Sequence, residues 1–197
     1  YGSQPIVGPE LAVDVGDQDP NARNALATAP ARIVLLAARA RGYRSLMHLN
    51  SRAFQETPIH QSPHIKLEWL EGYSDDLIAL TGDFIDRGPG HVRAAAQLFR
   101  HLKAPLGVFA VLGNHDYSVH TSRGKRKHPG LDNEVADALG SEGVTMLRNR
   151  GVSVQRDGET LQVAGVDDLW SGESNLDAAF NGTCPRAPRV LLAHNPQ

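Results

Sequence analysis

The chain has 197 residues, of which 41% are hydrophobic and 21% are charged, a composition typical of a globular domain and not of a disordered chain. The formal net charge of −2 gives no overall basic field that would indicate binding to nucleic acid or to an anionic membrane. The single cysteine, Cys184, excludes an intrachain disulfide and a zinc–thiolate cluster. The longest apolar run, at residues 33–38, has the length of a strand and not of a membrane span.

The N-terminal residues are rich in Pro, Gly, Asp and Asn and show no clear period, which predicts an irregular arm over residues 1–31. The remaining residues, 32–197, are of the right number for one domain. Because the sequence begins with Tyr1, we expect that a leader or anchor could have preceded it.

Short apolar runs separated by turn residues follow from Arg32 onward. They predict strands at 32–37, 44–49, 76–81, 107–112, 144–148, 152–156, 160–166 and 189–193, and helices at 64–72, 90–102, 131–140 and 175–180. Strand, helix and strand alternate through 76–112, which predicts a parallel pair with a crossover helix. The segment "RDGE" at 156–159 predicts a hairpin. We therefore expect a layered α/β domain.

Polar residues follow three of the predicted strands. The three turns are "GDFIDRG" at 82–88, "GNHD" at 113–116 and "AHN" at 193–195. Ligands of open α/β sheets bind at the carboxyl ends of strands, and carboxylate, amide and imidazole groups together suit a hard-to-borderline divalent cation. Each turn alone is more often structural, but three with compatible ligands predict a metal site. Gly82 and Gly113 are predicted to allow a close approach of the backbone there.

The motifs "GDFIDRG" and "GNHD", in this order and at this spacing, resemble those of the calcineurin-like metallophosphoesterases. The segments "VTMLRN" at 144–149, "LQVAGVDD" at 161–168 and "VLLAHNP" at 190–196 resemble the bacterial members of that superfamily, several of which are membrane-anchored. The resemblance covers residues 76–197 and only poorly the first 75. It implies an αββα sandwich, C-terminally incomplete here, located in the bacterial cytoplasm, or in the cell envelope if an anchor has been removed.

The resemblance also implies a site for two divalent metal ions, which would be manganese, iron or zinc. Asp83 would bridge the two ions, and Asn114 and His194 would bind the second of them. His48 is the remaining candidate ligand of the first ion. Asp86 would orient one of these ligands through a hydrogen bond.

The reaction implied by the resemblance is hydrolysis of a phosphomonoester or a phosphodiester by a water that the two metals activate. His115 would lie near the substrate, where it would protonate the leaving-group oxygen or stabilise the transition state. Asp116 would pair with His115 or with nearby backbone. Arg87 would contact a phosphate oxygen, with an ordinary surface ion pair as the alternative. The partner would be a small phosphate ester, and the oligomeric state is left open.

The sequence departs from the family pattern in its first motif, an Asp-x-His pair at the end of the first strand. The equivalent segment is "YRSLMHLNSRAF" at 43–54. In one register His48 is kept and Leu46 replaces the aspartate. In the other register Ser51 and Ala53 replace both ligands.

The family also closes with a Gly-His-x-His motif, which does not occur before Gln197. We therefore keep a second interpretation open, in which the chain is a fragment or an impaired member that acts as a binding or regulatory protein. The basic run "RGKRK" at 123–127 would attract an anionic substrate or, as is usual for charge runs, form a solvated loop. For Asp167 and Asp168 we favour roles in turns and capping over a position at the cleft.

Overall fold

A computed structural model of the protein describes residues 10–14, 31–37, 40–72, 77–79, 82–85, 88–100, 102–156, 158–184 and 186–195. Within these residues the strands are β1 (Glu10–Asp14), β2 (Ala31–Ala37), β3 (Ile65–Lys66), β4 (Leu77–Ala79), β5 (Val108–Ala110), β6 (Val144–Met146), β7 (Arg150–Arg156), β8 (Glu159–Gly165) and β9 (Arg189–Leu192). The α-helices are α1 (Ala40–Glu56), α2 (Val92–Phe99), α3 (Leu131–Ser141) and α4 (Leu176–Phe180), and Leu67–Gly72 and Pro89–His91 form 3₁₀ helices. The fold is α/β, as predicted, and the αββα layering stays a prediction.

The described strands form three sheets. The first has the order β3-β1-β2-β4, with β1 parallel to β3 and antiparallel to β2, and with β2 antiparallel to β4. The second is the parallel pair β5-β6. The third has the order β7-β8-β9, with an antiparallel and a parallel pairing. None of the described helices is both long and apolar enough to cross a membrane.

The strand predicted at 44–49 is wrong, because these residues lie inside helix α1. Leu46, Leu49 and Ala53 are buried in the core, and their spacing of three and four residues is the period of a helix. The apolar cluster that suggested a strand is therefore the buried face of α1. The first predicted metal motif, at 43–54, falls in this helix and not at the end of a strand.

Two further predictions about the N-terminal part are corrected. Glu10–Asp14, inside the predicted irregular arm, form β1 and pair with β2. Residues 64–72 were predicted as a helix, and they instead form β3 followed by a 3₁₀ helix. Trp69 and Leu70 are buried there, so the segment packs into the core without reaching the length of an α-helix. The domain bounds stay a prediction.

A parallel pair with a crossover helix is formed by the next unit of the chain, and the pair predicted over 76–112 stays a prediction. Strand β5 is followed by helix α3 and then by β6, which pairs with β5 in parallel. Within the described residues β4 hydrogen-bonds to β2 and lies beside β5. The predicted hairpin at 156–159 is confirmed, because β7 and β8 are antiparallel with Arg156 opposite Glu159, and Gly158 takes a φ of +81° in the turn.

Strand β5 is buried on both faces and brings two parts of the core together. Val108 and Ala110 pack into the larger core cluster, whereas Phe109 packs with Leu147 and Val163 in a second cluster. Full burial of side chains of this size contributes about 1.5–3 kcal/mol each. The loop that leaves the end of β5, where "GNHD" begins, is therefore fixed by packing from two sides.

Candidate metal centre

The carboxylate of Asp83 is the point at which the three predicted turns meet. Its Oδ1 accepts a hydrogen bond from the His115 backbone N–H at 2.9 Å, and its Oδ2 lies 3.3 Å from Nε2 of His194. Asp83 itself has a φ of +56°, in the left-handed region that Asp tolerates better than most residues. The side chain is 32% exposed and that of His194 is 21% exposed, so the pair is partly accessible to a ligand.

Two glycines make this convergence possible. A Cβ atom on Gly82 would overlap the His194 ring, with Cγ at 2.8 Å. A Cβ atom on Gly113 would overlap the backbone and carboxylate of Asp83, with Cγ at 3.0 Å. Real Cβ atoms essentially never approach a neighbour so closely, so both positions require glycine. The predicted close approach of the backbone to an ion or a phosphate stays a prediction, and in the structure the two glycines make room for His194 and Asp83.

Asn114 is buried and held in one orientation. Its side-chain Nδ2 donates to the Val119 carbonyl at 2.6 Å, and its backbone carbonyl accepts from the Val119 N–H at 2.8 Å. Because the amide nitrogen is used for this bond, Oδ1 is the atom of the side chain that remains suited to a cation.

Asp116 joins the first two turns from within the core. The residue is fully buried, and its two oxygens accept from the backbone N–H groups of Gly113 at 2.8 Å and Ile85 at 3.1 Å. Burial raises the pKa of Asp116 to about 7, because removal from water penalises the charged form. Of the two partners predicted for Asp116, the structure shows the nearby backbone, and its predicted catalytic role stays a prediction.

Asp83 and His194 shift each other's pKa in the directions expected of an ion pair. Burial raises the pKa of Asp83, but the hydrogen bond and charge of His194 and the His115 N–H outweigh burial, so this pKa lies below its ordinary value. Burial lowers the pKa of His194, and the facing Asp83 carboxylate raises it by more. Asp83 therefore stays ionised at neutral pH, which is the form that binds cations.

Of the remaining predicted site residues, the structure describes only His48. His48 is exposed on helix α1. Asp86 and Arg87 lie outside the described residues. Strand β2 runs antiparallel to β4, with Ala37 opposite Leu77. The C-terminal end of β2 therefore lies beside the start of β4, whereas Asp83 follows the end of β4. Among the described residues, no group of three His, Cys, Asp or Glu side chains is placed to hold a metal.

Asp168, for which the sequence favoured a role in a turn or cap over a position at the cleft, also contacts the third motif. Its Oδ2 accepts from the Ser171 N–H at 2.7 Å, which confirms the turn. Its Oδ1 accepts from Nδ2 of Asn195 at 2.7 Å and thereby holds the residue after His194. Asp168 follows β8, so the acidic pair after an apolar run was the sequence feature that could have indicated a fourth strand end at the site.

Asn149, which the sequence analysis did not single out, ties together the segments after β6 and β8. Its Oδ1 accepts from the N–H groups of Asp167 at 3.1 Å and Asn175 at 2.8 Å. Its Nδ2 donates to Oδ2 of Asp167 at 3.0 Å and to the Glu173 carbonyl at 2.7 Å. Its φ is +49°, a conformation that Asn adopts more easily than most residues.

Arg148 connects this region to the turn that carries Asn114. Its Nη2 donates to Oδ2 of Asp132 at 2.8 Å and to the Tyr117 hydroxyl at 3.0 Å, and its Nη1 donates to Oδ1 of Asn133 at 2.7 Å. Its Nε lies 3.5 Å from Oδ1 of Asp167. The side chains of Asp132 and Asp167 are 7% and 6% exposed, so the guanidinium compensates two buried carboxylates.

Replacing Arg148 with Met should lower the free energy of unfolding by about 1–3 kcal/mol, because two buried carboxylates lose their cation while the aliphatic stem is kept. Urea unfolding followed by circular dichroism measures the change. Arg93→Met, at an exposed position of α2, is the control and should change stability by less than about 0.5 kcal/mol. Equal effects of the two substitutions would contradict the role given to Arg148.

Comparison with known proteins gives a family model and several curated relatives. A family model described as the PHP domain matches residues 1–145. The chain is 26% identical over 159 residues to the uncharacterized metallophosphoesterase YkoQ of Bacillus subtilis, a match that covers 80% of this chain and 55% of that protein. By the family-model match the chain belongs to the PHP-domain family, and its similarity to several named metallophosphoesterases supports the calcineurin-like superfamily. It is also similar to the UDP-2,3-diacylglucosamine pyrophosphatase LpxG of Chlamydia trachomatis, with 28% identity over 64% of this chain and 49% of that protein. The phosphodiesterase YaeI of Escherichia coli is 29% identical over 61% of this chain and 41% of that protein.

The two kinds of comparison describe the family differently. The motifs at 82–88 and 113–116, which the structure joins through Asp83, are those of the metallophosphoesterase resemblance, and we rest the functional proposals on the metallophosphoesterase relatives. The metallophosphoesterase names imply divalent metal ions in general. The chain spans about half the length of the curated relatives it matches.

Proposed function

We propose that the protein is a metal-dependent phosphoester hydrolase whose site is centred on Asp83. The observation that carries this proposal is the convergence of three strand-end turns on one ionised carboxylate. Asp83 accepts from the His115 N–H and lies at 3.3 Å from His194, while both glycines that border it lack room for any side chain. An ordinary surface turn would not need this exclusion of side chains, whereas a site that brings ligands together does.

The donors at this point suit one divalent ion. Asp83, His194 and Asn114 would hold it through a carboxylate oxygen, an imidazole nitrogen and an amide oxygen, a set that fits manganese, zinc or iron. The second ion that the family resemblance implies would need donors beyond these three, and the described residues offer no group of three acidic, His or Cys side chains. We therefore propose one bound divalent ion at Asp83.

A divalent ion bound here would polarise a phosphoryl oxygen and lower the pKa of a bound water. The protein's own part is to place groups around the phosphate. His115, held by its backbone bond to Asp83, would give a proton to the leaving-group oxygen. Asp116 would keep the two turns in register through its bonds to Gly113 and Ile85. Arg87 and Asp86 keep their predicted roles, phosphate contact and ligand orientation, as proposals.

Removal of divalent metal is expected to abolish hydrolysis, since the bound ion is the proposed means of activating water. The measurement is release of p-nitrophenol from p-nitrophenyl phosphate and from bis-p-nitrophenyl phosphate after treatment with EDTA and dialysis. Adding Mn²⁺ back should restore activity, and preference for one of the two substrates distinguishes monoesters from diesters. Undiminished hydrolysis by the metal-free protein would contradict the proposal.

The alternative function, a binding or regulatory member without catalysis, is favoured by one observation. Among the described residues no group of three His, Cys, Asp or Glu side chains is placed to hold a metal, whereas two-metal catalysis requires ligands for both ions. Calorimetric titration with Mn²⁺ or Zn²⁺, combined with the hydrolysis assay, separates the two functions. Metal binding without turnover of any phosphoester would support the alternative.

A further inference from the structure

Residues 119–128, the basic loop, leave and rejoin the protein beside the candidate metal centre. At its base, the Lys127 N–H donates to the Ser118 carbonyl at 3.3 Å, and the His128 N–H donates to Oγ of Ser118 at 2.8 Å. Ser118 is buried and has a φ of +55°. The loop begins directly after Ser118, and its last two residues are hydrogen-bonded back to Ser118. Because Ser118 is three residues after His115, the loop is held next to the proposed proton donor.

The loop contacts both of the motifs that form the centre. The His120 ring packs edge-on against the His115 ring, with their centroids 4.6 Å apart. At the other end, Nε2 of His128 would lie 3.3 Å from a Cβ on Gly88, so this ring is beside the backbone that follows "GDFIDR". The loop therefore lies against His115 near one end and beside Gly88 at the other.

The loop is also the most basic segment of the chain. It carries four cationic side chains, Arg123, Lys125, Arg126 and Lys127. Arg126 is used within the fold, because its Nη2 lies 2.6 Å from Oε1 of Glu173 and its guanidinium covers the Tyr117 ring at 4.9 Å. The other three are exposed. Arg126 thus anchors the loop, and three positive charges remain on its outer surface.

We propose that the basic loop is a subsite for a second anionic group on the substrate, a proposal that rests on the hydrolase function above. In the reaction the water oxygen forms a bond to phosphorus, the bond from phosphorus to the leaving group breaks, and His115 supplies the proton that the leaving oxygen takes up. The proton lost by the water is released to solvent, from which His115 is reprotonated. Because His120 of the loop packs against His115, the proposed proton donor to the leaving oxygen, the anionic group belongs to the leaving group. The substrate class is a phosphoester whose leaving group carries a phosphate or carboxylate. Electrostatic attraction of this kind weakens with salt.

The test compares phenyl phosphate with 4-carboxyphenyl phosphate, each as the monoester and as its methyl diester. The enzyme is the full-length protein, and the variant combines Arg123→Gln, Lys125→Gln and Lys127→Gln. We expect the ratio of kcat/KM for the carboxylated substrate to kcat/KM for the plain substrate to fall about three- to tenfold in the variant, mainly through KM. The difference in this ratio between the variant and the unmodified protein should shrink at high salt. The control combines Lys66→Gln, Arg93→Gln and Lys103→Gln, which removes the same charge at exposed positions elsewhere.

Three outcomes would overturn the subsite. The ratio could stay unchanged in the loop variant, or it could fall equally in the control variant, which would assign the effect to net charge. The third outcome is a fall of the kcat/KM ratio that persists at high salt and is caused by a change in kcat alone. Absence of hydrolysis of all four compounds by the unmodified protein would overturn the hydrolase proposal and the subsite with it.

Discussion

Asp83→Asn should reduce metal-stimulated phosphoester hydrolysis at least about 100-fold, and it should leave the fold intact. Removal of groups that only orient a metal ligand already costs about 10–100-fold, and Asp83 is the proposed ligand itself. Asn keeps Oδ1 as the acceptor for the His115 N–H and tolerates the φ of +56°. What is lost is the negative charge that faces His194 and the proposed cation.

The measurement combines kcat/KM for p-nitrophenyl phosphate with the affinity for Mn²⁺ by calorimetry. Asp137→Asn, at an exposed position of helix α3, removes the same charge and should change activity by less than about twofold. A thermal unfolding scan checks that both variants fold. Activity of Asp83→Asn within threefold of the unmodified protein would exclude Asp83 as the centre of the site.

Gly113→Ala is the second substitution with a large expected effect. The added methyl group would overlap the backbone N and the carboxylate of Asp83, which belong to the main chain and to a hydrogen-bonded side chain and therefore have little room to move. Overpacking of this kind costs about 1–3 kcal/mol of unfolding free energy. It would also displace the Asp83 carboxylate, so we expect hydrolysis and Mn²⁺ affinity to fall together.

Gly140→Ala is the matched control for this substitution. Gly140 lies in helix α3 and a Cβ there would meet nothing within 4 Å, so alanine should stabilise the protein by about 0.5–1 kcal/mol through its higher helix propensity. Urea unfolding should therefore give changes of opposite sign for the two glycines. If Gly113→Ala proved as stable and as active as the unmodified protein, the close packing around Asp83 would be refuted.

The strands and helices of the C-terminal half were predictable because their patterns are local. The Asp-Gly pair at 157–158 predicted the turn between β7 and β8, and the apolar period over 131–140 predicted α3. In the N-terminal half the same reasoning failed at 44–49, where a short apolar run fits a strand and one face of a helix equally well. Burial of Leu46, Leu49 and Ala53 decides for the helix, and burial is a property of the whole fold.

The sequence predicted which residues belong to the candidate centre, but not which residues support them in the fold. "GDFIDRG", "GNHD" and "AHN" follow apolar runs, and their residue types are compatible with one cation. The supports are Asp168, Asn149 and Arg148, which are distant from those motifs along the chain. Their roles depend on which loops lie side by side, and no local pattern encodes that.

By itself, the sequence determined the chemistry of the site: a carboxylate, an amide and two imidazoles, each placed after a strand and accompanied by glycines. Only the tertiary structure decided which of these groups meet. The antiparallel pairing of β2 with β4 puts the C-terminal end of β2 beside the start of β4, and Asp83 follows the other end of β4. Helix α1 carries His48 on its exposed face. The physical reason is that residue types and spacing act over a few positions, whereas strand direction and burial are set by packing across the whole chain.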